Sequence, residues 1–233
     1  PVADLDHVDH AYDVDGAHHD HHVGPHNDSD RQHHHRHDDA DRLTKPARYD
    51  RRMSESSWSL TAADGELHIL TGVAGRAAKM GHRLTIGMKS WQATVRWAGG
   101  KPTTAELTVD VDSLEVLGGE GGLTPLGGPE KGIARSNALK SLDAKKFPQI
   151  RFAADQVAKT ADGYRLTGTL EIHGTPRPQT VEGRVADSGD ALALSARVQV
   201  TQSDFGVKPY SLMMGALKVA DEVTIDFSAT HAT

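Results

Sequence analysis

From residue 54 onward the chain repeats one pattern, short runs in which apolar and polar residues alternate, cut by Gly, Pro and Asp. A period of two puts successive side chains on opposite faces of an extended backbone, so each run predicts a strand with one buried face. Trp91, Ala93, Val95 and Trp97 share a face, with Gln92, Thr94 and Arg96 on the other. Leu84, Ile86 and Met88 repeat the pattern, as do Leu107, Val109 and Val111. Later runs hold Leu166, Gly168, Leu170 and Ile172, then Leu192, Leu194, Ala196, Val198 and Val200, and finally Val223, Ile225 and Phe227. About eight strands are predicted on this signal. Ala98-Gly99-Gly100, Ala161-Asp162-Gly163 and Asp187-Ser188-Gly189-Asp190 supply turns between them, and strands so joined are expected to be antiparallel. An all-β domain over residues 53–233, a sandwich or a barrel, is the fold class these features define.

One segment departs from the period. Ser136 to Lys146 reads as a short helix capped by Ser136 or Asn137, with Leu139 and Leu142 inward and Lys145-Lys146 at its C-terminal end, before Phe147-Pro148. Gly118 to Lys131, rich in Gly and Pro, reads as a flexible surface loop, and its glycines lack the Lys-Ser/Thr of a phosphate-binding loop.

Composition divides the chain near residue 53. Residues 1–52 hold eleven of the fifteen His and twelve Asp, but no Glu, Ile, Phe or Trp. Such a segment has almost nothing with which to build a core and is expected to be disordered. Its His18-His19-Asp20-His21-His22 and His33-His34-His35-Arg36-His37 tracts could chelate Zn²⁺ or Ni²⁺. The alternative is that the segment is an upstream extension and Met53 the natural start, since ordinary composition begins just after it. The twelve Asp outweigh six Arg and Lys45 to give the segment −5 of the chain's −6 charge, so the rest is nearly neutral. A body without clustered Lys and Arg is not expected to bind nucleic acid. Cys is absent, which removes disulfides, thiolate nucleophiles and Cys-based zinc sites. With no run of roughly 18 apolar residues the chain is not expected to span a membrane by a helix, and with no signal peptide visible a cytoplasmic location is expected.

The run Gly72-Val73-Ala74-Gly75-Arg76-Ala77-Ala78-Lys79-Met80-Gly81-His82 resembles the YceI-like family, in particular an actinobacterial-type subgroup. Asp112-Ser113-Leu114-Glu115-Val116, Phe147-Pro148-Gln149-Ile150-Arg151-Phe152, the stretch from Leu166 to Gly174, the stretch from Gln202 to Ser211, and Lys218-Val219-Ala220-Asp221-Glu222-Val223 follow in the family's order. The resemblance implies a lipocalin-like antiparallel β-barrel around an apolar tunnel for polyisoprenoid chains, such as isoprenoid quinones or prenyl phosphates. It implies binding, in carriage or storage under stress, without a cofactor.

Given a tunnel, the candidate lining is Leu84, Ile86, Met88, Trp91, Val95, Trp97, Leu107, Val109, Phe152, Leu166 and Leu170, with Phe205, Met213 and Met214. Gly168 is a position where a larger side chain would fill the interior. The same faces would serve equally as a filled core, because alternation marks the buried face without showing a cavity. Lys79, His82 and Lys208 are candidates for a polar head group; the competing reading is two solvated lysines and a hydrogen-bonded structural histidine. Asp204 and Asp221-Glu222 fit turn and capping duty as well as acid–base work. No Gly-x-Ser-x-Gly elbow or His-Glu-x-x-His motif occurs, and His68, His82, His173 and His231 lack metal-ligand spacing. An enzyme acting on a small apolar substrate, or a ligand-free stress or interaction module, are the alternatives. The residues leave a homodimer open.

Overall fold

A computed structural model of the chain describes residues 55–232. The His/Asp-rich segment and the expectations attached to it, including Met53 as a start, lie outside the described residues.

The described residues form β1 (Ser56–Thr61), β2 (Gly65–Ala74), β3 (His82–Met88), β4 (Trp91–Ala98), β5 (Lys101–Asp110) and β6 (Leu114–Gly121). Helix α1 (Gly128–Ser141) follows, then β7 (Gln149–Lys159), β8 (Gly163–Ile172), β9 (Thr175–Asp187), β10 (Ala191–Thr201), β11 (Ser211–Leu212) and β12 (Leu217–Ala232). Eleven strands make one path in the order β1-β4-β5-β7-β8-β9-β10-β12-β2-β3-β6, and β11 pairs with β12 outside it. Every pairing is antiparallel, as the turn signals required.

The sheet curls on itself. Trp91 on β4 meets Phe227 on β12 edge to face at 5.3 Å, and Trp58 on β1 stacks on His231 of β12 at 4.3 Å, although several strands separate each pair along the path. The end strands β1 and β6 are not hydrogen-bonded to each other, and α1 packs Ala134, Ala138, Leu139 and Leu142 onto the core cluster that includes Leu114 and Val116 of β6. An antiparallel lipocalin-like barrel with one helix is therefore the architecture, with twelve strands where about eight were expected.

Two of the strands beyond the expected runs, β1 and β9, alternate only weakly in sequence. On β9 only Val181 and Val185 mark the inward face, and its first residues include Pro176 and Pro178. β1 is six residues long and more than half serine or threonine. Turns behave as their residues dictate: Gly99 and Gly100 both adopt positive φ, 60° and 74°, the conformation a two-residue hairpin needs to match strand twist.

Two sequence expectations are corrected. The helix runs from Gly128 to Ser141 rather than from Ser136 to Lys146, because Pro129 sits in its first turn, where a missing N–H costs nothing, and Glu130 complements the dipole there. It stops at Leu142, since Asp143 turns to a φ of 46°. The Gly118–Lys131 stretch is not a loop throughout: Gly118, Gly119 and Gly121 pair with Thr85, Leu84 and His82 of β3, and α1 begins before the stretch ends. The glycine at 119 is there for closeness. A Cβ on it would lie 3.0 Å from Leu126, 3.1 Å from Leu84 and 3.2 Å from His82.

Gly168 is the second position where backbone proximity decides. A Cβ there would fall 2.0 Å from the Ala153 carbonyl oxygen and 2.5 Å from the Ala154 Cα, beside the register shift between β7 and β8. A large side chain at 168 would therefore push β7 and β8 apart rather than fill the interior. Gly168→Ala is expected to cost about 1–3 kcal/mol by overpacking, seen as a fall of several degrees in Tm. An unchanged Tm would mean that β7 and β8 are not so close.

Candidate ligand-binding cavity

The inward faces do not meet in the middle. They enclose a cavity of about 1040 Å³, at the upper end of the roughly 300–1,000 Å³ usual for small-molecule sites. Tyr164 and Ile172 from opposite ends of β8, and Leu192 and Val200 from opposite ends of β10, all face it, so it runs the length of the strands.

Period two places the wall. Leu84, Ile86 and Met88 of β3, Val95 and Trp97 of β4, Leu107 and Val109 of β5, Phe152 of β7, and Leu166 and Leu170 of β8 line the cavity as their alternation suggests. Trp91 does not: it is 5 % exposed and packed in the core cluster with Leu60 and Leu67. Phe205 is 3 % exposed in a separate cluster with Val200, Val207 and Val223. Gly168 also lies off the wall. Met213 and Met214 stand clear of the cavity, 61 % and 106 % exposed. Of the three polar candidates, His82 faces the cavity, whereas Lys79 and Lys208 are exposed and do not line it.

Leu67, Ile69, Thr71 and Val73 of β2, Val181 and Val185 of β9, and Ile133, Ala134 and Ala138 of α1 complete much of the wall. The alternation of Leu67 with His68 and of Val181 with Glu182 carried that signal. The share from Ile133 and Ala134 had none, since the helix begins eight residues before Ser136, whereas Ala138 and Leu142 fall within the expected helix.

Apolar side chains dominate the wall, and several of its polar groups are committed. His82 Nε2 lies 2.8 Å from the Thr124 carbonyl oxygen, which can only accept, so Nε2 carries the proton and donates. Leu84 N–H donates to Thr71 Oγ1, and Gln202 Nε2 donates to the Ala220 carbonyl. No polar or charged residue is buried among the described residues. Trp97 Nε1 is an exception in kind, a buried donor on a wall residue with no hydrogen-bond partner. Near it Trp58 and Tyr164 meet the Trp97 ring at 4.4 and 6.5 Å.

The two ends of the cavity differ. At one, Lys159, Asp162 and Asp187 reach its edge from the β7–β8 and β9–β10 hairpins, and all three are exposed. At the other, the edge carries Met80 and Leu212, which are 45 % and 46 % exposed, and Ile133 of α1, 62 % exposed, lines the cavity as well. Among the described residues no group of three or more His, Cys, Asp or Glu is placed to hold a metal ion, and no helix is long and apolar enough to cross a membrane.

A curled antiparallel sheet around one long apolar cavity defines a barrel of the binding-protein kind. The chain belongs to the YceI-like family: the family's domain model matches residues 54–231. A UPF0312 protein of Pseudomonas putida is 26 % identical over 127 residues, covering 52 % of this chain and 62 % of that protein. UPF0312 protein YE1254 of Yersinia enterocolitica is 37 % identical over 49 residues, 21 % of this chain and 26 % of the relative. The alignments thus span under two thirds of these relatives. Among solved structures, Burkholderia cenocepacia BcnA superposes with a TM-score of 0.57 at 23 % identity, over 73 % of this chain and 98 % of that one. That likeness concerns the fold.

Proposed function

We propose that the barrel binds a polyisoprenoid or similar long-chain amphiphile, such as an isoprenoid quinone or a prenyl phosphate, and serves in its carriage or storage rather than in catalysis. The observation that carries this reading is the cavity of about 1040 Å³ running the length of the strands between largely apolar walls. Water is a poor occupant for its middle, because an ordered buried water needs 2–4 polar partners by general experience. A branched hydrocarbon needs none. Each buried methylene contributes roughly 0.8 kcal/mol, so a five-carbon unit contributes up to about 4 kcal/mol before ordering costs are subtracted. Three or more such units, about 12 kcal/mol before a cost of about 4 kcal/mol or more is subtracted, are needed to reach micromolar affinity, near −8 kcal/mol on the usual scale. Selectivity for chain length is then weak, which suits a carrier.

Intrinsic fluorescence tests the reading, because Trp58 and Trp97 line the cavity and Trp91 does not. A long-chain isoprenoid quinone added from ethanol is expected to quench emission saturably. A variant carrying Trp58→Phe and Trp97→Phe, with only Trp91 left, should lose most of that quenching. Quenching that never saturates, or that survives intact in the double variant, would contradict an occupied cavity.

A further inference from the structure

Six large apolar side chains are exposed among the described residues: Met80, Leu123, Ile133, Leu212, Met213 and Met214. Scattered singly they would need no explanation. They are not scattered. Ala77 N–H donates to the Ala216 carbonyl at 2.8 Å, which lays the turn Ala78–Met80 beside the turn Met213–Gly215. The hydrogen bond from His82 to the Thr124 carbonyl brings Leu123 to the strand end that follows Met80. Met80 and Leu212 also line the cavity, so these two, with Met213 and Met214 next to Leu212 and with Leu123, gather at one of its openings, while Ile133 lines the cavity from α1. An apolar rim gathered around an opening marks an interaction surface.

Met213 and Met214 protrude furthest, and both hold the left-handed backbone, with φ of 53° and 55°. Non-glycine residues take that conformation where something beyond local preference fixes them. It presents two flexible thioethers to solvent beside the opening. Residues 75–82 and 205–219 also carry Arg76, Lys79, Lys208 and Lys218 and no Asp or Glu, while the neighbouring stretch 118–133 adds Lys131, Glu130 and Glu120, the last paired with Arg83. Arg76, Lys79, Lys208 and Lys218 are all exposed. The carboxylates that follow on β12 accept hydrogen bonds from neutral groups, Asp221 from Ser203 and Glu222 from Gln199, and lie outside these two segments.

We propose that this rim docks on an anionic phospholipid bilayer. Met213 and Met214 enter the interfacial region, and Arg76, Lys79, Lys208 and Lys218 meet lipid phosphates. Charge selects the bilayer over a second copy of the chain, since a two-fold contact would press this cationic patch against itself. The other opening, with Lys159, Asp162 and Asp187, has mixed charge and no apolar rim. The inference rests on the carrier reading for its purpose, a route between bilayer and cavity, but not for its geometry.

The test uses the full chain and vesicles of phosphatidylcholine alone or mixed equally with phosphatidylglycerol. Co-sedimentation is expected with the anionic vesicles only, and to weaken at high salt. Met213→Ser with Met214→Ser should lower binding by about tenfold or more, and Arg76→Glu by at least about fivefold, with Tm unchanged in each. In a second arm, quinone added from ethanol is taken up equally by the wild type and these variants, whereas uptake from quinone-loaded anionic vesicles falls with vesicle binding. Failure of uptake from ethanol with vesicle binding intact supports docking and counts against the carrier reading alone. Equal binding to both vesicle types, no binding, or unaltered binding by the methionine variant would overturn the proposal. So would a sedimentation-equilibrium mass that drops from dimer to monomer in that variant without vesicle binding, which assigns the rim to a second copy.

Discussion

Replacing Ala196 with tryptophan is expected to abolish uptake of a long-chain ligand while leaving the barrel folded. Ala196 sits midway along β10, faces the cavity, and pairs with Gly183 on β9 and Phe227 on β12. Gly183 offers no obstruction, since a Cβ built on it would meet only the Tyr164 carbonyl at 3.5 Å. An indole at 196 therefore has room to lie across the bore without displacing backbone. An indole and a ligand chain would compete for the same space at that level of the cavity. Loss of several five-carbon units from the wall removes most of the binding energy, so affinity should fall by more than about a hundredfold, the equivalent of roughly 3 kcal/mol. A circular dichroism spectrum and Tm close to wild type show that the fold has survived.

Trp91→Asp is expected to do the opposite and remove the fold itself. Trp91 is 5 % exposed, wedged edge to face on Phe227 and surrounded by the largest core cluster. Deleting a buried tryptophan side chain costs about 3–5 kcal/mol in general, and a carboxylate left there without water or a partner adds several more. Domains have only about 5–15 kcal/mol in hand. The expected result is loss of the cooperative thermal transition. Trp91→Phe is the control: it keeps the edge-to-face contact and deletes an indole N–H that has no partner, so this variant should remain folded. Trp97→Asp, on the cavity wall and half-buried, should lose less stability than Trp91→Asp. A Trp91→Asp protein that melts like wild type would mean that β4 does not pack across the barrel onto β12.

The contrast between Trp91 and Trp97 also shows how far sequence alone reaches. Alternation puts both on the inward face of β4, and both are there. It does not say that Trp91 meets Phe227 across the interior while Trp97 borders open space, because that depends on how far the sheet curls at each level. Phe205 illustrates the same limit: it is buried, as an aromatic in Ser203-Asp204-Phe205-Gly206 suggests, but within a cluster beside the barrel wall. Hydrophobicity places Met213 and Met214 inside, and a local conformation that alternation does not encode turns them outward. Gly168 has the parity of a wall residue, yet what fixes it is contact with the neighbouring backbone. Alternation undercounts the strands because β1 and β9 advertise their inner faces weakly. It displaces the helix because Gly127 and Gly128 resemble a loop until Pro129 is recognised as a first-turn residue. The family's ordered blocks supply the step from buried faces to a tunnel, which periodicity does not contain.

Native mass spectrometry, on protein prepared without detergent and incubated with a long-chain isoprenoid quinone or a prenyl phosphate, tests the central claim most directly. The wild type should carry one ligand per chain, retained through buffer exchange, and Ala196→Trp should carry none at the same concentrations. A wild-type chain that stays free of every such ligand, or a folded Ala196→Trp chain that binds as well as wild type, would contradict the claim that the barrel's interior is the binding site.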